Sequence, residues 1–300
     1  MEDRGAESRR YGKPPWRFKG RAVYQLHLVK SHVARALIPK DLRLVEAFGY
    51  TLGGFFLASY DDSPAGAFDE LVVIAGIVWN PPTSCAWASK VLVNSNEACL
   101  HGRTDVGLPS NVARFTKLRC CPEQLTHFTA DKGQQESRVK RFSSKIGSSR
   151  SVPSAKFDSE TKVTELSSAE EIFSISLLNS LPKDNSKALL GPHIKMSLPS
   201  FSGRTQYHAS LVKYSCQMEC RVRIVHPLQI SRLSPTADID LRAGQQAVED
   251  QCSSSVHKAM VETVANKSAL SLTVMLSKPV LALEFNCMSM DVEAPKVVSE

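Results

Sequence analysis

A chain of 300 residues, 42% hydrophobic and 22% charged, carries enough apolar content for one large or two modest cores and is neither a disordered nor a fibrous polymer. Its formal net charge of +7 gathers in residues 1–21 (+4) and 114–150 (+6), which form neither one helix face nor a base-stacking surface, so no nucleic acid is expected as partner. The longest strongly apolar run, residues 71–79, is far shorter than a membrane span, and the first seven residues hold Glu2, Asp3 and Glu7. No transmembrane segment and no signal or transit peptide are therefore expected, which by sequence points to the cytoplasm.

In chain order, residues 1–17 are polar and read as a flexible N-terminus. Residues 22–29 set Tyr24, Leu26 and Leu28 on one face of a strand, and residues 31–38 read as a short helix capped by Ser31 and stopped before Pro39. The Gly53-Gly54 pair within 50–60 marks a bulge or a close backbone approach. Glu70 stands at the entrance to 71–79, which is apolar on both faces and predicts a central, doubly covered strand; a rigid turn follows over 80–88. Residues 102–115 read as a tight bend, with Gly102 and Gly107 supplying unusual backbone angles and Pro109 locking the chain before Ser110-Asn111. Strict alternation predicts strands over 212–224, 270–277 and 280–290. Residues 119–160 and 231–267 are long, polar and weakly periodic, and are expected to be disordered insertions, the second with a short helix in its later half. The whole reads as one domain over 18–298, α+β but mainly β.

The chemistry-bearing residues are sparse. Eight cysteines form no C-x-x-C pair, which predicts reduced thiols; Cys216 and Cys220 share a face but lack two further ligands, so no metal is expected. His27, His101, His193, His208 and His226 form no nucleophile or metal pattern, and His27 reads as a surface or packed strand residue rather than a base. No phosphate loop or dinucleotide fingerprint is present, and no cofactor is expected.

Four segments in order carry a resemblance: "FKGRAVYQLHLV" (18–29), "DSPAGAFDEL" (62–71), "GRTDVGLPSNVA" (102–113) and "IKMSLPSFSG" (194–203). Together they resemble the acetoacetate decarboxylase superfamily. The resemblance implies an antiparallel β-barrel or cone with an internal apolar cavity and few helices. It sets Arg21 at the place of a cavity arginine and Glu70 at that of a cavity glutamate, the two able to pair across the cavity. Pro109 stands at the elbow, Ser110 at the Schiff-base lysine and Asn111 at the neighbouring lysine. Neither a hydroxyl nor an amide forms an imine, so the resemblance implies a cavity without the family's electron sink. Lys90 and Lys117 do not follow the elbow.

Longer strings, among them "YGKPPWRFKG" and "MLSKPVLALEF", resemble the plant neoxanthin-deficiency family. That resemblance implies a non-catalytic accessory factor needed for neoxanthin accumulation, upstream of abscisic acid and linked to plastids. It would bind an apolar or carotenoid-like end group. Two alternatives are an enzyme with imine-free acid–base chemistry, Glu70 supplying one group, and a scaffold for a membrane-bound synthase, the protein partner in xanthophyll synthesis.

Overall fold

The computed structural model describes residues 11–80, 83–119, 157–167, 170–181, 191–232 and 254–298. Strand β1 (Trp16–Lys30) leads into helix α1 (Ser31–Leu37), the short β2 (Arg43–Leu44), and β3 (Tyr50–Asp62), β4 (Phe68–Asn80) and β5 (Thr83–Val93). Helix α2 (Asn96–Thr104) precedes β6 (Ser110–Arg119), β7 (Phe157–Ser167), β8 (Glu170–Leu181), β9 (His193–Gly203), β10 (Leu211–Val225) and β11 (Gln229–Arg232). Helix α3 (Ser254–Met275), β12 (Lys278–Val292) and β13 (Lys296–Val297) follow.

The strands β5-β9-β10-β12-β1-β3-β4 form a ring, closed where β4 returns to β5 through pairs running from Glu70↔Val93 to Asn80↔Thr83. Neighbours are antiparallel except β5 and β9, which run parallel at Ala86↔Ser200 and Trp87↔Phe201. A second sheet, β6-β7-β8-β11, is attached through the parallel pair β5–β6.

Alternation explains the ring. Residues paired across strands share a face. The pairs Ile224↔Leu283, Tyr24↔Leu283, Tyr24↔Phe56 and Phe56↔Val72 therefore carry one inward-facing row around the wall. Inward side chains, including Phe18, Tyr60, Phe68, Met218 and Phe285, make one core cluster. Outward side chains, including Phe55, Leu71 and Val73, pack with Val33 of α1 and Leu272 and Met275 of α3 in a second. The expected doubly covered strand over 71–79 is β4, which contributes to both. At the glycine pair the backbones approach closely: a Cβ on Gly54 would lie 2.0 Å from Gln25 O, and one on Gly53 2.6 Å from Ile74 O.

Several expectations are corrected. Residues 270–275 end a helix and are not a strand. Ser268, Ser271, Leu272 and Met275 are all buried, at i, i+3, i+4 and i+7. Two of these four contact positions are serines, which masked the helical period and left a false alternation among Leu270, Leu272 and Val274. Ser31 is not the cap of α1 but its first residue; Lys30 holds the cap position. Of the expected flexible N-terminus, residues 1–10 lie outside the described residues, while Tyr11 and Trp16 are buried in the barrel core. Residues 157–160 open β7 and residues 231–232 close β11; the helix expected in the later half of 231–267 is present, as residues 254–267 of the longer α3. The rigid turn expected over 80–88 is mostly strand: Asn80 ends β4 and residues 83–88 open β5. Residues 81–82 and the remainder of the two expected insertions lie outside the described residues.

Candidate functional site

The barrel encloses a cavity of about 270 Å³. From β4 the inward row brings Phe68, Glu70, Val72 and Ile74 to its wall; β1 adds Phe18 and Tyr24, β3 adds Phe56 and Tyr60, and β10 adds Tyr214 and Cys216. Helix α2 and the following loop close the wall with Ala98, His101, Gly102, Val106 and Leu108, and β6 contributes Ser110. Among the described residues no lysine or arginine lines it.

Glu70 is the electrostatic centre. Tyr60 donates its hydroxyl to Glu70 Oε2 at 2.8 Å. Burial, opposed by that hydrogen bond, pushes the carboxyl up from its ordinary 4.5 to about 7. Its negative charge in turn adds to burial in raising the phenols of Tyr11, Tyr60 and Tyr214 and the thiol of Cys216, which reaches about 12. The carboxyl is thus a weak acid close to half protonation at neutral pH.

A second polar group stands on α2. Ser95 caps the helix by accepting from Ala98 N–H, and His101 and Asp105 lie four residues apart at its far end. His101 Nδ1 is 2.9 Å from Asp105 Oδ2. A carboxylate only accepts, so Nδ1 carries the proton and Nε2 presents a lone pair. Tyr11 stacks on the imidazole at 3.7 Å between centroids, and Trp16 meets it edge-on at 4.4 Å. Burial lowers the His101 pKa below its ordinary 6.5, against the pull of Asp105, and so favours the neutral ring. His101 Nε2 and Ser110 Oγ are both buried with no hydrogen-bond partner among the described residues. Unmade hydrogen bonds in a closed apolar space are costly, and two at one cavity wall suit a polar ligand atom.

The sequence-predicted site residues divide. Glu70 and Ser110 line the cavity. Arg21 does not: it is exposed, an odd-numbered neighbour of the inward Phe18 and Tyr24, and alternation turns it outward, away from Glu70. Pro109 and Asn111 lie outside the lining as well. Asn111 Oδ1 accepts from Arg103 Nη2 at 2.9 Å, while Arg103 Nε donates to Ser110 O at 2.6 Å. The bend at 102–115 is therefore a bracket: Arg103 fixes Ser110-Asn111, and Asp105 fixes His101. Gly107, at φ +77°, supplies the expected backbone angle, but Gly102 is helical. It is needed for closeness, since a Cβ there would stand 2.5 Å from Ser110 Oγ.

Neither remaining lysine enters the cavity. Lys90 is buried on the outer side of β5, 2.6 Å from Glu165 Oε2 and bonded to Ser268 Oγ at 3.1 Å. Lys117 bonds Asp69 and Ser59. Of the two places open to His27, surface or packed strand residue, it takes the second: it is fully buried, Nδ1 meets Val274 O at 3.1 Å and Nε2 meets Gln25 Nε2 at 2.9 Å. Among the described residues no group of histidine, cysteine and carboxylate side chains is set to hold a metal, and no helix is long and apolar enough to cross a membrane.

No protein-family model matches the chain. It is 54% identical over 301 residues to the tomato (Solanum lycopersicum) Protein NEOXANTHIN-DEFICIENT 1, covering 100% of this chain and 97% of that protein. It is 51% identical over 292 residues to the Arabidopsis thaliana protein of the same name, covering 96% and 95%. Among solved structures, the acetoacetate decarboxylase of Legionella pneumophila aligns with a TM-score of 0.50 at 13% identity over 99% of this chain and 92% of that one. The fold is thus of the acetoacetate decarboxylase type, mainly β with an internal barrel.

Proposed function

The chain belongs to the NEOXANTHIN-DEFICIENT 1 family, and from that premise we propose that it serves neoxanthin biosynthesis by binding the oxygen-bearing end of a mostly apolar molecule in its barrel, without forming an imine. The observation that carries this reading is the composition of the cavity wall: aromatic and aliphatic over most of its area, with His101 Nε2 and Ser110 Oγ left unpartnered and no amine facing inward among the described residues. A hydroxyl on the ligand donates to the imidazole lone pair and accepts from the serine; the rest of the end group packs on Tyr24, Phe56 and Phe68. At about 270 Å³ the cavity takes a ring-sized end group, and a long polyene extends out of the barrel. In this reading the protein is an accessory factor acting upstream of abscisic acid, with its work tied to plastid pigments.

A second reading rests on Glu70 and His101. A carboxyl near neutrality and a neutral imidazole held by a carboxylate are an acid and a base in one cavity, sufficient for an isomerisation that moves one proton off the substrate and returns one.

The test is incubation of purified protein with violaxanthin and, separately, with acetoacetate plus borohydride. The accessory reading expects saturable pigment binding, no product and no reduced adduct. Product formation lost in both Glu70→Gln and His101→Gln favours the acid–base reading, and a borohydride-trapped lysine overturns both.

A further inference from the structure

Beyond Tyr24 the burial pattern of the barrel wall inverts. In β1 the outward-facing Gln25, His27 and Val29 are fully buried, whereas Leu26 and Leu28, on the cavity-facing row, are only half-buried. In β3 the outward Thr51 is buried, while Tyr50 and Leu52 are 41% and 44% exposed in the row that carries Phe56 and Tyr60 farther in. Ile224 shares the face of Leu283 and Tyr24 and is 75% exposed. The lining of the cavity therefore continues out of the barrel as an apolar apron.

Cations are set into this apron. Lys30 is paired in register with Tyr50, Lys278 with Leu28, and Arg43 with Trp79, which is 41% exposed. All three cations are exposed, and none is ion-paired among the described residues. The acids of the adjoining segment are occupied: Glu46 by Arg35 and Asp41 by Arg204. At the edge of the apron, residues 47–50 form a tight turn closed by Ala47 N–H to Tyr50 O at 2.8 Å and Tyr50 N–H to Ala47 O at 2.9 Å. Its tip is Phe48, fully exposed, at φ +52°. A left-handed backbone disfavours a bulky residue, and a solvated phenylalanine gives nothing to folding.

We propose that this mouth is a membrane-docking surface, with Phe48 inserted among acyl chains and Lys30, Arg43 and Lys278 held by anionic lipid headgroups, so that the barrel opens directly onto the bilayer. The charge pattern chooses the occupant. The cores of protein–protein interfaces are depleted in lysine, whereas long cationic side chains interleaved with tyrosine and tryptophan suit the lipid interface, where stems lie in the apolar zone and ammonium groups reach phosphate. The inference does not depend on what the cavity binds.

The experiment is sedimentation of the full chain with vesicles of phosphatidylcholine alone or mixed with phosphatidylglycerol. Binding to the mixed vesicles, weakening as salt is raised, is expected. Asparagine tolerates a positive φ, so Phe48→Asn leaves the fold intact, checked by circular dichroism, yet lowers partitioning about tenfold. The double variant Lys30→Glu/Lys278→Glu removes the preference for anionic lipid. Trp79 emission moves to the blue on binding, and a Trp79→Phe variant, which leaves the buried Trp16 and Trp87, shows no such shift. Failure to bind either vesicle overturns the proposal, as does unchanged binding by Phe48→Asn. A lipid-free dimer that Phe48→Asn dissociates overturns it too, by assigning the surface to a second copy.

Discussion

Tyr60 donates its hydroxyl to Glu70 across 2.8 Å, and this bond holds the one carboxyl of the cavity wall among the described residues toward the barrel interior. The partner is a neutral phenol, where the resemblance to acetoacetate decarboxylases implies the arginine at position 21.

That pairing sets a pH dependence. The folded-state pKa of Glu70 is raised from 4.5 to about 7, so between those values the folded chain retains a proton that the unfolded chain has lost. Stability from this group is full below pH 4.5 and declines as pH rises toward 7, by about 2–3 kcal/mol. Glu70→Gln keeps the hydrogen bond from Tyr60 and removes that slope. Urea unfolding of both proteins at pH 5 and pH 8 checks it.

The buried histidines act in the opposite direction. Burial lowers the pKa of both His27 and His101 below the ordinary 6.5. As pH falls through 6.5 the unfolded chain takes up protons that the folded chain refuses, and stability drops. Protonating His27 would also set an N–H against the Gln25 amide. Chemical denaturation from pH 7 to pH 5 should show a steep loss in the parent and a shallower one in His101→Gln.

Gly102 and Ser110 are coupled by contact. Gly102→Ala drives a methyl to within 2.5 Å of Ser110 Oγ and costs about 1–3 kcal/mol. Adding Ser110→Gly frees the space and recovers that loss. A double-mutant cycle by thermal or urea unfolding gives the coupling; simple additivity would show that the two residues do not touch.

Lys90 and Glu165 form a buried ion pair outside the barrel. Lys90→Met strands a buried carboxylate and costs about 3–5 kcal/mol, while Lys90→Met with Glu165→Leu restores much of it. Unfolding free energies of the three variants measure this.

Where a strand has a dry and a wet face, or two dry faces, the fold was legible in the sequence: β1, β4, β10 and β12 follow from alternation or continuous apolarity. Helix α3 was not, because serines at positions 268 and 271 fill a buried face by being small. At the site, Glu70 and Ser110 were reached by resemblance, but Arg21 and Asn111 were misplaced because segment likeness does not carry side-chain parity. His101 was visible as a residue but not as a site. Its spacing from Asp105 becomes meaningful once 96–104 is a helix, and the Ser95 cap followed by Glu97 was the available signal. Tyr11 had no signal, since its partner is 90 residues away in sequence.

The most direct test is native mass spectrometry of the protein isolated from plant tissue. The account predicts one oxygen-bearing, mostly apolar molecule per chain, released intact on denaturation without any reductant and absent from an Ala88→Trp variant whose cavity is filled. A chain that comes from tissue with its barrel empty, or a ligand attached through lysine, would contradict it.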